Sequence, residues 1–98
     1  MTENVARRSA PDRFEISVDG RVAGFAEFVD RDGVRIFPHT EIDPEFGGQG
    51  LGGTVVRAAL EATRAEGLSI VAQCSFVRHY VETHPEWSDL LAADQGSD

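Results

Sequence analysis

Five of the ten glycines in the chain fall within seven consecutive positions, residues 47–53. The segment before this run, residues 35–43, has the pattern of an extended strand, and residues 51–66 have the apolar spacing of a helix. Glycines gather at the first turn of a helix where another group approaches the backbone closely. The first N–H groups of a helix have no partner within it and lie at the positive end of its dipole. The run therefore predicts a cradle for an anion, most often a phosphate group.

Two familiar phosphate-binding motifs match this run only in their spacing. The G-x-G-x-x-G spacing of dinucleotide-binding folds begins at Gly48, but that motif requires an acidic residue about 20 positions later, close to Gln73. The strands before the run also look like hairpins rather than a parallel sheet. The Walker spacing begins at Gly47, but Gly53 occupies the position of its lysine. Neither motif is favoured.

Three segments before the glycine run have the patterns of β-strands. Residues 14–18 alternate apolar and polar side chains, as a half-buried strand does. Asp19-Gly20 is a strong signal for a two-residue hairpin turn, which makes residues 21–29 the antiparallel partner. A second turn leads into a third strand, residues 34–43. The simplest topology is a three-stranded antiparallel meander.

The chain after the glycine run indicates a helix, a strand and a second helix. Residues 51–66 carry apolar side chains at helical spacing, and Gly67 is a natural C-terminal cap. Residues 68–73 are mostly apolar, which favours a central strand. Residues 76–83 carry a second helical stripe, which ends before Pro85. The order predicts an α+β sandwich: a mixed, mainly antiparallel sheet, a long helix after the glycine loop and a second helix after the last strand.

The length of 98 residues predicts a single domain. We place this domain at residues 13–92. Residues 1–12 are polar and contain Pro11, so we expect a flexible N-terminal tail, and we expect residues 93–98 to form a second tail.

The composition excludes several classes of function. A formal net charge of −8 argues against a broad nucleic-acid surface, which needs clustered Lys and Arg. No apolar run approaches the ~20 residues of a membrane span, and the N-terminal segment lacks the apolar stretch of a signal peptide. The single cysteine excludes an intramolecular disulfide. His39, His79 and His84 lack the tight spacing of a metal site, so we expect no metal. A cytoplasmic protein fits best.

Residues 47–52, Gly-Gly-Gln-Gly-Leu-Gly, resemble the (Arg or Gln)-x-x-Gly-x-(Gly or Ala) pyrophosphate loop of the GNAT superfamily of acyl-CoA-dependent N-acetyltransferases. Gly47 stands at the position that is Arg or Gln in that family. Residues 39–42, 74–80 and 84–87 are also similar to the short stand-alone, YjdJ-like branch of GNAT proteins. The resemblance covers residues 14–91.

The resemblance implies a GNAT-like sheet that splays between the strand before the loop and the strand after the helix. Acetyl-CoA as co-substrate would lie in that cleft, with its pantetheine paired to backbone near Ile42. Because Gly47 contributes no side chain, we expect backbone N–H groups to bind the pyrophosphate. The implied cofactor-binding residues are Ile42, Gly47, Gly48, Gln49, Gly50, Leu51, Gly52, Gly53 and Thr54.

Acetyl transfer to an amine needs a base for the amine proton, donors for the oxyanion and an acid for the leaving thiolate. Glu41 lies on the strand before the loop and is the first candidate base, although an ordinary surface carboxylate explains it equally well. His39 lies on the same face of that strand, because strands have a period of two, and could act directly or through water.

Two residues after the glycine run complete the set of catalytic candidates. Tyr80 matches a position where many GNAT enzymes carry a tyrosine that can donate to the CoA sulfur, but it also fits an apolar helix stripe. Cys74 ends a strand just before a helix N-terminus, a setting that lowers the pKa of a thiol. It could accept the acetyl group before passing it on, or be a small buried hydrophobe.

The leading hypothesis is an acetyl-CoA-dependent N-acetyltransferase with a primary amine as acceptor: a protein lysine, a polyamine or a small amine. The alternative is a CoA-binding regulatory module without turnover. A third interpretation is a small interaction domain in which the glycine loop is only a tight turn. The sequence identifies neither the acceptor nor the oligomeric state, and it does not separate direct transfer from an acetylated Cys74.

Overall fold

The structure, a computed structural model, describes residues 2–92 and consists of one five-stranded sheet packed against helices. The strands follow one another in the sheet in the order β1-β2-β3-β4-β5; the first four are antiparallel, and β4 and β5 are parallel. The helices α1 and α2 follow β4 and β5. The predicted α+β fold with a mixed, mainly antiparallel sheet is confirmed. The elements are β1 (Glu3–Arg8), β2 (Arg13–Val18), β3 (Arg21–Arg31), β4 (Val34–Ile42), α1 (Leu51–Ala65), β5 (Ser69–Ala72) and α2 (Ser75–Thr83), with 3₁₀ turns at Pro44–Phe46 and Pro85–Leu90.

Two Asp-Gly turns produce the central meander. Asp19 and Gly20 have φ values of 50° and 84°, and Asp32 and Gly33 have φ values of 51° and 78°. Two consecutive residues with positive φ form the hairpin turn whose twist matches that of antiparallel strands. Aspartate tolerates this conformation better than most residues, and glycine adopts it without steric cost. The hairpin predicted from Asp19-Gly20 is therefore present.

The predicted N-terminal tail is corrected by the structure. Glu3–Arg8 forms strand β1, which is antiparallel to β2. Glu3 lies opposite Val18 at one end of this pairing, and Arg8 lies opposite Arg13 at the other. The Arg7 guanidinium lies 2.7 Å from the Glu66 carboxylate and 5.1 Å from the centre of the Phe28 ring. The backbone hydrogen bonds and these contacts hold the strand although it buries little apolar surface. The second predicted tail, residues 93–98, lies outside the described residues.

The prediction that the last strand is central was wrong. Within residues 2–92, β5 forms the edge of the sheet and pairs in register only with β4. Its outer side is covered by the segment after α2, because Leu91 forms a bridge with Ile70 and the Ala92 N–H donates to the Ile70 carbonyl at 2.9 Å. Trp87 and Leu90 are buried in the same core as Ile70. This cover explains an apolar edge strand.

One hydrophobic core joins both helices to one face of the sheet. Alternate residues of β2 and β3 turn to this core, and the intervening residues of the same strands turn to the opposite face.

The largest fully buried side chain is that of Arg35 on β4. It donates to both carboxylate oxygens of Asp30 at 2.7 and 2.9 Å, to Glu66 at 2.7 Å and to Thr63 at 3.3 Å. The bonds from Arg35 hold the pKa of the Asp30 and Glu66 carboxyls below their usual range. This network connects β3, β4 and α1.

We expect Arg35→Met to lower the free energy of unfolding by about 2–3 kcal/mol. Methionine fills most of the space but leaves Asp30 and Glu66 without their cation. The loss is below that of a fully buried pair, because those two side chains keep 39% and 38% of their exposure. Urea denaturation followed by circular dichroism measures it. The control is Arg31→Met, at an exposed position of the same sheet. Equal effects of the two substitutions would contradict the structural role of Arg35.

Candidate active site

The strands β4 and β5 separate halfway along β4. Their pairing runs from Val34 opposite Ser69 to Phe37 opposite Ala72, and the Cys74 N–H then donates to the Phe37 carbonyl at 2.9 Å. The next residue of β4 is a proline, which has no N–H to continue a ladder. Residues 39–42 pair with β3 on one side, and among the described residues they have no strand on the other. A backbone edge is thus open between β4 and the start of α2.

The glycine loop lies at the end of this open edge. A 3₁₀ turn of Pro44–Phe46, capped by the Asp43 carboxylate on the Glu45 N–H at 2.9 Å, leads into it. Gly48 and Gly50 have φ values of 79° and 74°, which other residues rarely adopt. Gly50 is the N-cap of α1 and has no side chain to bind the first N–H groups of the helix. These donors therefore lie at the positive end of a 15-residue helix.

A cavity of about 260 Å³ connects the open edge, the loop and the first turns of both helices. Gly52 packs directly against the Phe76 ring, since a Cβ at this position would lie 2.4 Å from its tip. Phe76 itself is 42% exposed and forms one wall of the cavity. The cavity is lined by Ile42, Phe46, Gly47, Gly48, Gly50, Leu51, Gly52, Gly53 and Phe76.

The predicted cofactor-binding residues contribute to this region in different ways. The Leu51 side chain is buried in the core, so only its backbone faces the loop. The Thr54 hydroxyl donates to the Gly50 carbonyl at 3.2 Å and is already engaged locally. Gly47 is extended, with φ −63° and ψ 151°, and Gln49 is exposed. Ile42 is half-buried at the open edge.

Cys74 is the N-cap residue of α2 and is half-buried. Burial raises the pKa of its thiol, but polar interactions with the backbone N–H groups of Val77 and Phe76 and with Thr40 outweigh burial, so the pKa lies below its usual value. The Thr40 hydroxyl is shielded from solvent and makes no regular hydrogen bond within residues 2–92, which leaves the sulfur as its polar neighbour. The arrangement favours a thiolate at the head of the open cleft.

His39 and Glu41 form a pair of their own. The His39 Nε2 lies 3.2 Å from a Glu41 carboxylate oxygen, and both side chains are exposed. The Phe25 ring lies beside the imidazole, with 5.8 Å between ring centres. Because successive residues of a strand face opposite sides, His39 and Glu41 lie on one face of β4 and Thr40 with Cys74 on the other. The structure thus places His39 with Glu41 on one face of β4, and Thr40 beside Cys74 on the other.

Tyr80 lies elsewhere, between α1 and α2. Its ring stacks on that of His84, with centres 4.0 Å apart and planes at 11°, and it packs against Gly53 of α1. Burial raises the pKa of the Tyr80 hydroxyl. Among the described contacts Tyr80 is a neighbour of Arg57 and Trp87, and its contact partners do not include Cys74. Its sequence position on the apolar stripe of α2 indicated this packing role.

Two residues of the site escaped the sequence analysis. Thr40 was missed because a period of two counted from the buried Phe37 would turn His39 and Glu41, and not Thr40, to the core. The pairing of β3 with β4 shifts register between Glu27 and Val29, and this irregularity reverses the alternation before Thr40. Phe76 carried no comparable signal, because its contact with Gly52 joins residues that are distant in the sequence.

Within residues 2–92, no helix is both long and apolar enough to cross a membrane. The same part of the chain holds no cluster of three or more His, Cys, Asp or Glu side chains that could bind a metal ion.

Residues 13–90 match the protein family described as GCN5-related N-acetyl-transferase. The chain belongs to this family. The GNAT resemblance inferred from the glycine loop is thereby confirmed, and the family is one of acyltransferases, as predicted. No curated protein matches the chain.

Solved structures show the same fold. A GCN5-like protein from Staphylococcus aureus, solved by NMR, is similar over 97% of this chain and 98% of its own, with a TM-score of 0.68 and 25% identity. The GNAT family N-acetyltransferase YhbS from Escherichia coli, in complex with CoA, is similar over 63% of this chain, with a TM-score of 0.56 and 20% identity. The ribosomal-protein-S18-alanine N-acetyltransferase from E. coli is similar over 86%, with a TM-score of 0.64 and 16% identity. The chain spans 39% and 54% of the lengths of these two E. coli proteins.

We expect the Cys74 thiol to react with iodoacetamide at a lower pH than an ordinary thiol, whose pKa is 9.0. A lowered pKa keeps more of the sulfur as thiolate, which is the nucleophile, as the pH falls toward neutrality. Because the chain has one cysteine, the alkylation rate as a function of pH reports on this residue alone.

Thr40→Val should move that pH profile upward, because it removes the hydroxyl beside the sulfur at nearly constant shape. Thr40→Ser keeps the hydroxyl and should retain the wild-type profile. A Thr40→Val profile that coincides with that of the wild type would show that the hydroxyl does not stabilise the thiolate.

Proposed function

We propose that the chain transfers an acetyl group from acetyl-CoA to a primary amine, which is a protein lysine, a polyamine or a small amine. The observation that carries this proposal is the open backbone edge of β4 at residues 38–42. It begins beside Cys74 and ends at a loop of helix N-terminal donors. The family to which the chain belongs and a relative solved with CoA support the choice of co-substrate.

The residues present fit an acyl-CoA. The loop offers backbone donors to a pyrophosphate, and it does so without the Arg or Gln side chain that Gly47 replaces. Asp43 donates its N–H to the Ala23 carbonyl at 2.7 Å, on the β3 side. Backbone groups of adjacent strand residues alternate in direction, so those of Ile42 point to the open edge. There the N–H and C=O of Ile42 would form hydrogen bonds with the amides of pantetheine, as they would with a neighbouring β-strand.

Bound acetyl-CoA would supply an activated thioester carbonyl. In a two-step route, the Cys74 thiolate attacks that carbonyl carbon; the new S–C bond forms as the bond to the CoA sulfur breaks, and the departing thiolate takes up a proton. The amine then attacks the acetyl group on Cys74 and regenerates the thiol. The lowered pKa of Cys74 and the neighbouring Thr40 hydroxyl support this route.

His39 and Glu41 would bind and deprotonate the acceptor amine. They are exposed on the face of β4 opposite Cys74, and their 3.2 Å contact would let Glu41 orient the imidazole as it accepts the amine proton. Glu41 and Asp43 also border a cavity of about 170 Å³ beside Phe25. Negative charge and an aromatic ring there would favour a cationic amine over an anionic acceptor. A direct transfer uses the same residues without Cys74.

The test measures two quantities. Calorimetry should detect binding of acetyl-CoA and CoA, and incubation of acetyl-CoA with a panel of primary amines and lysine peptides should release free CoA in an acceptor-dependent manner. Binding without any acetylated amine would instead identify a CoA-binding regulatory module. Absence of binding would leave the glycine loop as a tight turn in an interaction domain.

We expect intact-mass spectrometry to show an acetyl adduct on the wild-type protein after exposure to acetyl-CoA, and none on Cys74→Ala. Acetyl transfer by Cys74→Ala should fall at least ~100-fold, since loss of a covalent nucleophile removes the two-step route. CoA affinity should stay within about twofold, or 0.4 kcal/mol, because the small side chain contributes little to binding. An unmodified wild-type protein, together with a fully active Cys74→Ala variant, would leave direct transfer as the mechanism.

We expect Gly52→Ala to weaken CoA binding roughly tenfold, or about 1.4 kcal/mol. The added Cβ would lie 2.4 Å from the tip of the Phe76 ring and push it into the cavity of the loop. The double variant Gly52→Ala/Phe76→Ala removes the displaced ring and should recover most of the affinity. Calorimetry of both proteins decides the point: equal affinities of the wild type and Gly52→Ala would contradict the assignment of this cavity.

A further inference from the structure

The strand β1 leaves one edge of the sheet uncovered. At the other edge, β5 is only four residues long, and the bridge between Ile70 and Leu91 covers its outer side. The outer side of β1 meets no strand within residues 2–92. An uncovered edge is a template for pairing with another chain, so native edge strands usually carry a proline or a bulge, or are very short.

The strand β1 lacks these protective devices. Its six residues contain no proline, and they pair with β2 in unbroken register, whereas the two other antiparallel pairings each contain a register shift. Its two arginines are held by carboxylates of the same chain, Arg7 by Glu66 at 2.7 Å and Arg8 by Glu15 at 3.3 Å. The free edge is therefore regular enough to accept a further strand.

Alternate residues of β1 direct their backbone groups to the free edge. The Asp19 N–H donates to the Thr2 carbonyl at 2.8 Å, which makes these two residues a hydrogen-bonded pair at the end of the β1–β2 ladder. Hydrogen-bonded pairs alternate with non-bonded pairs between antiparallel strands, so the even-numbered residues of β1 bond to β2. The N–H and C=O groups of the odd-numbered residues, Glu3, Val5 and Arg7, therefore point away from the sheet.

A second copy of β1 fits this edge in one register that matches charges. Antiparallel pairing must set odd-numbered residues opposite odd-numbered residues, because only these have free backbone groups. With Val5 opposite Val5 of the second copy, Glu3 of each copy lies opposite Arg7 of the other. Opposite charges in such cross-strand pairs are stabilising, and like charges are destabilising. A shift by two residues sets Glu3 or Arg7 opposite Val5 and removes both charge pairs.

The two charged side chains are available for this contact. Glu3 is exposed and forms no ion pair in the part of the chain that the structure describes. The Arg7 side chain keeps 46% of its exposure, and one of its nitrogens donates to Glu66. A guanidinium has five N–H donors, so Arg7 retains donors for a second carboxylate.

We propose that the protein forms a two-fold dimer in which β1 pairs antiparallel with β1 of a second copy and joins the two sheets into one. The six residues of β1 are fewer than the ~20–30 that each side of a standard interface contributes, so the dimer exchanges with monomers at micromolar concentrations. Because β4 lies three strands from this edge, both clefts stay open, and the inference is independent of acetyl transfer.

Sedimentation equilibrium from micromolar to millimolar concentrations tests the proposal. The wild type should show a monomer–dimer equilibrium. Glu3→Arg should weaken dimerisation roughly tenfold, because both charge pairs become like-charge contacts, and Arg7→Glu should do the same. A mixture of the two variants should recover the dimer, since opposite charges then face each other at both positions. Glu82→Arg, the same change at an exposed position of α2, is the matched control and should leave the equilibrium unchanged.

Hydrogen exchange followed by NMR locates the interface. The Val5 and Arg7 N–H groups should exchange rapidly at low protein concentration and slowly at high concentration. Those of Asn4 and Ala6, which bond to β2, should exchange slowly at both concentrations. In the variants, these two groups also report whether β1 is still paired with β2. If Arg7→Glu releases the strand, Glu3→Arg alone decides the role of the charges.

Each contrary result overturns the proposal by itself. A wild type that stays monomeric at every concentration excludes the dimer. A dimer in which the Val5 and Arg7 N–H groups stay unprotected uses another surface. A dimer that Glu3→Arg does not weaken has a different register. Calorimetry of acetyl-CoA should give equal affinities for the wild type and Glu3→Arg, so failure of CoA binding or of acetyl transfer would leave the dimer in place.

Discussion

The hydrogen bond from the Cys74 N–H to the Phe37 carbonyl ends the pairing of two parallel strands, and the site depends on that ending. Before it, β4 and β5 form a regular ladder. After it, Pro38 offers no donor and the chain of β5 turns into α2. One event thus opens the backbone edge of β4, places Cys74 at the head of a helix and brings the first turn of α2 beside the glycine loop. A continued ladder would remove all three.

The second constraint is the close approach of the two helices. Gly52 admits the Phe76 ring, and Gly53 admits Tyr80, so α2 lies near the N-terminal half of α1. The loop glycines therefore have separate physical roles. Gly48 and Gly50 are needed for their backbone conformation, and Gly52 is needed for packing. A motif that looks uniform in the sequence serves both an anion site and a helix contact.

The pattern of residues was sufficient for much of the fold. The Asp-Gly turns, the alternation in β2 and the helical spacing after the loop each reflect local geometry, and each of these elements is present. The two wrong predictions, for β1 and β5, concern what packs or pairs with these strands in the folded protein. β1 has few apolar residues and is held by pairing with β2 and by the contacts of Arg7. β5 is apolar because later segments cover its outer side, and this cover depends on Leu91 and Trp87.

The sequence alone determined the glycine loop, its place between a strand and a helix, and the membership in an acyltransferase family that this order indicates. These follow from properties of consecutive residues: backbone freedom at glycine, turn preference at Asp-Gly and periodic apolar side chains. Only the tertiary structure decided which candidates meet. It paired Cys74 with Thr40, set His39 and Glu41 on the opposite face of β4, and placed Tyr80 between α1 and α2. Such contacts join distant segments, and their geometry depends on where a ladder ends and how closely two helices pack.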